Sequence, residues 1–396
     1  MSKTILIIEP IADGHHMHYV RYAAIGILNA GNKVMLATFE ESLRNPAYTE
    51  MQQACGNRIK VLPIMQKMKK SWSPGPVGTL ARHFSFYRLF TNFWRTSAEA
   101  QEADIVFIAY LDYCDKIFSL LGSPFGSTPW AGLLMRPSFH YRSIGVIAPS
   151  SPLDTPERML MRRLLRTKHL RTLFTIDEPL SLYVQRFWPE FTAKMRYVLD
   201  PADLEKPIPQ PEARSLFGLP MDKRVMLIYG SLSLRKGVDV LLQAAKSPDF
   251  PDDMILFLAG KQDSDVQALL NSSEGNALIQ CGKLIEVNRY LHKAEQTAAF
   301  CASDVVWLGY RDHYSSSGVL AQAQALNMPI IGCREGIIGW TLNKYNNGYV
   351  MDDMSVSSIL NAIEKRCDKE RHLQQEDFND RFSIARFGAD IQSGLQ

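Results

Sequence analysis

The sequence contains no CxxC pair, no HExxH segment, no low-complexity tract and no short internal repeat. Nowhere does an uninterrupted apolar run reach the roughly 18 residues expected of a membrane-spanning helix. The opening MSKTILIIEP is too short in apolar residues for a signal peptide, so the cytoplasm is the expected compartment. Six cysteines (Cys55, Cys114, Cys281, Cys301, Cys333, Cys367) are scattered, most of them inside apolar stretches, and are expected as buried, reduced thiols. Charge of one sign is also missing. The 44 Lys and Arg nearly balance 41 Asp and Glu, leaving a net +3, which argues against a nucleic-acid binder that relies on bulk electrostatics.

What is present is the composition of an ordinary soluble globular protein, 46% hydrophobic and 21% charged over 396 residues, enough for two domains. Short apolar runs of the kind that form doubly buried parallel strands recur along the chain. In the first half they are TILIIE (4–9), KVMLATF (33–39), RIKVLPIM (58–65), DIVFIAY (104–110), WAGLLMR (130–136), TLFTID (172–177) and MRYVLD (195–200). Helical patterns separate them, including an aromatic-rich one around 78–101. After a proline-rich segment the alternation begins again, with VMLIYGS (225–231), MILFLAG (254–260), ALIQCGK (277–283), VVWLGY (305–310), PIIGCR (329–334) and GYVMD (348–352). The expected architecture is α/β, with two Rossmann-like doubly wound domains facing across a cleft. The expected boundaries are 1–200 for the first domain, 201–220 for the linker, 221–377 for the second domain and 378–396 for a closing helix.

Two stretches carry chemistry. In YSSSGVLAQAQALNMP (314–329), Ser315, Ser316, Ser317 and Gly318 follow a strand and open a helix, where free backbone N–H groups favour an anion. One serine acting as a helix cap explains the patch equally well. In YGSLSLRKGVDVLL (229–242) a second strand-to-helix turn sets Arg235 and Lys236 side by side. Cations oppose the dipole at a helix start, so two together there suit a diphosphate better than a bare cap. A helix terminus contributes at most about 2 kcal/mol to an anion, whereas micromolar affinity needs about 8 kcal/mol. A phosphate ligand therefore needs the cations as well.

These segments resemble glycosyltransferases of the GT-B fold, most closely the retaining family 4 (group 1), over nearly the whole chain and most strongly from 225 to 350. Gly230, Ser231, Lys236 and Gly237 stand where that family carries glycine, arginine and a lysine–glycine pair. The resemblance gives Lys236 the donor diphosphate, with Arg235 compensating for the arginine that Ser231 replaces. Counting back from Pro329 sets Tyr314 and Gln322 at the family's two glutamates, which contact the donor sugar and the ribose. An amide at 322 can still bond a ribose hydroxyl. Ser316, Ser317, Gly318 and Val319 fall where backbone amides hold the distal phosphate. The segment 333–350 resembles the stretch after this motif, and RFSIARFG (381–388) the closing helix that packs on the first domain.

The resemblance also makes Gly14 in DGHHMHY (13–19) a donor-phosphate contact and His15 and His16 acceptor-side contacts. A His15–His16–His18 metal site finds no supporting spacing. In LLMRPSFHYR (133–142), Arg136 and His140 are candidates for hydrogen-bonding the reacting sugar or supporting the leaving phosphate, and Asp112 is a candidate acceptor base. Asp263 and Asp265 form a DxD that reads as a helix opening. No metal is expected to be required. The basic stretch 156–171 begins with Thr155 as cap and Pro156 in the first turn, and carries Arg158, Arg162, Arg163, Arg166, Lys168 and Arg171. With Lys67, Lys69 and Lys70 it suits a peripheral membrane contact, though a solvated helix explains it too. The expected function is transfer of a sugar from a UDP- or GDP-sugar to a glycan or lipid-linked hydroxyl acceptor, with retention. The alternatives are a catalytically lapsed binding subunit, which the replaced glutamates favour, and a sugar-nucleotide epimerase.

Overall fold

The structure, a computed structural model, describes residues 2–12, 16–66, 68, 75–367 and 380–396. The chain forms two compact units. The first comprises 1–144, 149–199 and 384–396, and the second 145–148 and 200–383.

The first unit is built on a seven-stranded parallel sheet. Its strands are β1 (Thr4–Ile8), β2 (Lys33–Phe39), β3 (Ile59–Ile64), β4 (Ile105–Ile108), β5 (Trp130–Leu134), β6 (Leu170–Thr175) and β7 (Met195–Tyr197), in the spatial order 3-2-1-4-5-6-7. β1 shows why such strands read as continuous apolar runs. Leu6 and Ile8 join one core layer while Ile5 and Ile7 join the layer on the opposite face, so helices cover both sides. The last helix, Ile384–Leu395, packs in this unit against the first, His16–Asn29. Its Phe387 ring lies 6.0 Å from Tyr19 and 6.1 Å from Tyr22.

The second unit repeats the design with six parallel strands: β8 (Arg224–Tyr229), β9 (Met254–Ala259), β10 (Leu284–Val287), β11 (Val305–Leu308), β12 (Ile330–Gly332) and β13 (Tyr349–Val350). Their order is 10-9-8-11-12-13. Val225 and Leu227 face one core layer and Met226 and Ile228 the other.

Three expectations differ from this architecture. The run ALIQCGK is not a strand. Ser273–Gln280 is a helix capped by Ser272, with Leu278 on its buried face, and the strand is the next apolar run, LIEV. The segment 201–220 is not bare linker, since Gln210–Phe217 is a helix. Its buried Arg214 pairs with Asp304 at 2.7 Å and bonds the carbonyls of Ala302, Pro220 and Met221. The basic helix runs Asp154–Leu165, one residue ahead of the expected cap, so Thr155 lies inside it and Arg171 belongs to β6.

Both sheets have the same topological feature. The winding direction reverses between β1 and β4 in the first unit and between β8 and β11 in the second. The carboxyl ends of strands at such a reversal are splayed by diverging connections, and ligands collect there.

Candidate functional site

In the second unit the loops leaving β8 and β11 meet at the reversal. After β8 the chain makes a short 3-10 turn, Leu234–Lys236, ended by Gly237 in the left-handed region at φ +68°, and then enters the helix Val238–Ala245. The turn is tied down from β11. Trp307 donates its indole N–H to the Lys236 carbonyl at 2.8 Å, and Arg311 N–H donates to the Arg235 carbonyl at 2.8 Å. Lys236 is therefore aimed inward. Its ammonium donates to the Tyr229 carbonyl and stands 5.3 Å over the Tyr310 ring.

Lys236 is 5% exposed and makes no ion pair among the described residues. Burial, reinforced by the Arg235 charge, pulls its pKa down from 10.5 to about 7. A buried ammonium held by one carbonyl and one ring lacks the counter-charge that normally accompanies it. The neighbouring cation adds to the demand. Arg235 is exposed, lies 5.6 Å over the same Tyr310 ring, and bonds His313 Nδ1 through Nη1 at 3.0 Å. A guanidinium only donates, so Nδ1 accepts and the imidazole proton sits on Nε2, which faces the Ser316 carbonyl at 3.3 Å. Burial and Arg235 both hold the His313 pKa down, in keeping with that neutral tautomer.

The serine patch completes this corner. Ser317 occupies the cap position of the helix Gly318–Ala325, yet its side chain caps nothing. Its hydroxyl lies close enough to Tyr310 to pull down a phenol pKa that burial raises. Among the described residues nothing accepts from the N–H groups of Gly318 and Val319, and the space beside Gly318 is open. The capping explanation of the serine run thus fails at Ser317, while the amide donors it would have served stand free. Lys236 connects to Ser317 through Tyr310, and Arg235 connects to Ser316 through His313. Ser231 is exposed at the start of the Lys236 loop. Gln322 lies on the same helix as Gly318, its Oε1 buried without a hydrogen-bond partner. Tyr314 is half-buried, its backbone carbonyl bonded by Ile337 N–H at 3.0 Å.

In the first unit the candidates divide. His16 opens the helix after β1 with Nδ1 3.2 Å from the buried Glu9 carboxylate and Nε2 2.9 Å from the Tyr113 hydroxyl, against the Tyr110 ring at 4.3 Å. Asp112 follows β4 and accepts the N–H groups of Arg136 at 2.8 Å and Met135 at 3.0 Å, which locks the ends of β4 and β5 together. Burial first and Asp115 second raise its carboxyl to about 6 despite those donors. Arg136 is exposed, its guanidinium 5.6 Å over the Tyr110 ring. His140 is not available to a ligand. It is fully buried, with Nε2 3.2 Å from an equally buried Asp177 that caps the helix Glu178–Phe187. This corrects the expectation of a sugar contact, and the histidine braces the loop after β5 instead.

Gly14 and His15, and with them Lys67, Lys69 and Lys70, lie outside the described residues. Of the basic helix, Met161, Leu164 and Leu165 face the core. Arg162 bonds Glu190 at 2.9 Å and Arg163 the Leu120 carbonyl at 3.3 Å. Asp263 caps the helix Ser264–Leu270 by accepting Val266 N–H at 2.9 Å, with Asp265 in its first turn. Among the described residues no cluster of three His, Cys, Asp or Glu is placed to hold a metal, and no helix is long and apolar enough to cross a membrane. Cys55, Cys114, Cys301 and Cys333 are buried and in no disulfide, whereas Cys281 is exposed.

Sequence reasoning passed over Tyr310, His313, Glu9 and Tyr113. His313 and Tyr310 had one visible signal, their position in GYRDHYSSSG immediately ahead of the serine patch.

Comparison with known proteins bears on the fold. Residues 209–381 match the family model for glycosyl transferases group 1. Sucrose-phosphate synthase from Thermosynechococcus elongatus superposes with a TM-score of 0.62 at 16% identity, covering 99% of this chain and 94% of that one. Anabaena Alr3699/HepE, solved in complex with UDP and glucose, gives 0.62 at 14% identity and 99% coverage of both chains. WaaG, a glycosyltransferase involved in lipopolysaccharide biosynthesis, gives 0.56 at 13% identity, covering 98% of this chain and 95% of that one. No curated protein sequence matches the chain. The two-sheet architecture is that of the GT-B fold, and the family match falls within the second unit.

Proposed function

We propose that the protein transfers a sugar from a nucleotide-diphosphate donor to a hydroxyl acceptor, and that its second unit grips the diphosphate. One observation carries the reading. Lys236 is buried without a counter-charge, beside a second cation and a helix start whose amides are free. A diphosphate supplies the missing charge to both cations and accepts from Gly318 and Val319. As the sugar departs, negative charge accumulates on the leaving diphosphate, and these preorganised donors stabilise it in the transition state. Gln322 Oε1, a buried acceptor lacking a donor, suits a ribose hydroxyl. Lys236, Arg235 and the helix end together do the work a metal performs elsewhere, so the reaction needs none. That similar folds are solved with UDP and with UDP-glucose supports a nucleotide-sugar donor.

The test is to incubate the full chain with a panel of UDP- and GDP-sugars and follow the nucleotide. Slow release of free nucleotide is the expected result. Saturable binding without any turnover would identify a lapsed enzyme, and an altered sugar still attached to its nucleotide would identify an epimerase.

The depressed lysine pKa predicts a pH signature. In the free protein Lys236 is half-deprotonated near pH 7, and the bound diphosphate restores its proton. Donor affinity is therefore expected to fall as pH rises from 6 to 9. Binding at pH 8 should take up about one proton. Calorimetry in two buffers of different ionisation enthalpy reads that uptake directly, and equal heats would contradict it. The sign for stability is opposite. The folded value lies below the unfolded value of 10.5, so between about pH 7 and 10.5 the unfolded chain binds more protons. The contribution of this group to stability rises with pH over that window.

A further inference from the structure

The first unit contains a cavity of about 160 Å3 at the carboxyl ends of β4 and β5, reached by the helix Pro76–Thr96. Its wall has two kinds of polar group. Three carboxylates line it, each with a polar neighbour. Asp112 accepts two backbone amides, Asp115 faces His83 at 3.2 Å, and Glu157 bonds Lys116 at 3.2 Å. Two guanidiniums also line it, without an ion pair among the described residues. Arg82 lies 5.3 Å over the Tyr113 ring and its Nε is buried with no hydrogen-bond partner. Arg136 lies over Tyr110, whose ring is 4.8 Å from that of Tyr113. The two adjacent tyrosines thus hold two arginines beside the cavity.

A cavity whose carboxylates each have a polar neighbour, and whose two guanidiniums have no ion partner among the described residues, is selective in a definite way. Partnered carboxylates retain spare lone pairs for hydroxyl donors, while an unpaired guanidinium takes an anion, in fork geometry where it can. The geometry points to a sugar bearing an anionic group, a phosphate or a carboxylate, as the ligand of this cavity. Arg82 and Arg136 hold the anion and the acidic wall takes the hydroxyls. The proposal rests on the transferase reading only in naming this ligand the acceptor.

The full chain carrying Lys236→Ala, which removes the main phosphate contact of the second unit, is titrated with glucose, glucuronate, glucose 6-phosphate and inorganic phosphate. Glucuronate or glucose 6-phosphate is expected to bind about tenfold tighter than glucose, or more, and whichever is preferred identifies the anion. That preference should shrink to about threefold or less in Arg136→Gln, an exposed position where folding is not at risk, and likewise in Arg82→Gln. Arg82→Lys, which retains the charge, should keep part of it. Equal binding of all sugars, a preference that survives both substitutions, or inorganic phosphate binding as tightly as the sugar phosphate would each overturn the inference. Nucleotide-sugar binding to the unmodified chain is measured separately. Its absence alongside a normal anionic-sugar preference would sink the transferase reading and leave this one standing.

Discussion

Replacing Lys236 by alanine is expected to weaken sugar-nucleotide binding at least tenfold, about 1.4 kcal/mol, and to lower the transfer rate by roughly 100-fold or more, as loss of a preorganised charge donor does. The two effects separate because the lysine binds the diphosphate in the ground state and more strongly as charge develops on it. Lys236→Met sharpens the test. Methionine keeps the unbranched stem in the space between Gly230 and the Tyr310 ring while removing a buried charge that no acid compensates. Its affinity should drop as far as that of the alanine variant, while its melting temperature should hold or rise, since replacing an uncompensated buried charge by an apolar group relieves desolvation. A methionine variant that melts lower and binds normally would mean that the ammonium serves the fold and touches no ligand.

Gly260→Ala is expected to be the most damaging substitution in the second unit. The residue follows β9 at φ +137°, where an L side chain is strained, and its added Cβ would stand 2.0 Å from the Gly230 carbonyl oxygen. That contact is backbone on backbone, so no rotamer change relieves it. Gly230 is held in turn by donating to the Ala259 carbonyl at 3.0 Å. Overpacking of this kind costs about 1–3 kcal/mol, and left-handed strain adds about 1 kcal/mol or more. The melting temperature of the second unit should fall by several degrees. Donor binding should fall with it, because Gly230 forms the wall against which the Lys236 ammonium rests. Unchanged melting would show that the ends of β8 and β9 separate more easily than this packing implies.

Much of this architecture is legible in the residues, for a physical reason. A strand buried on both faces must be apolar at every position, so β1, β8, β9 and β11 announce themselves. The same rule fails for ALIQCGK, where Leu278, buried, and Ile279, half-buried, stand side by side at the end of a helix and imitate a short strand, and only Ser272, the helix cap, argues otherwise. Lys236 and the serine patch are legible because strand-to-helix turns with small and cationic residues have local signatures. Their partners are not. Arg235 meets His313 across 78 positions, and Tyr310 acquires its role only once β8 and β11 lie side by side. His140 shows the opposite failure. A histidine after a strand end resembles a ligand contact until the fold brings Asp177 beneath it and closes the aromatic rings of Phe139 and Tyr141 over it.

The most direct measurement is calorimetric titration of the donor into Gly318→Ala. A methyl group there meets open space and no strained backbone, and alanine at a helix start is no worse than glycine for the fold. Only a ligand lying against the bare amide would notice it. Unchanged thermal stability with sugar-nucleotide affinity reduced about tenfold or more is the predicted outcome. Full affinity in that variant would show that no phosphate approaches the start of this helix, and the account of a diphosphate held between it and Lys236 would be wrong.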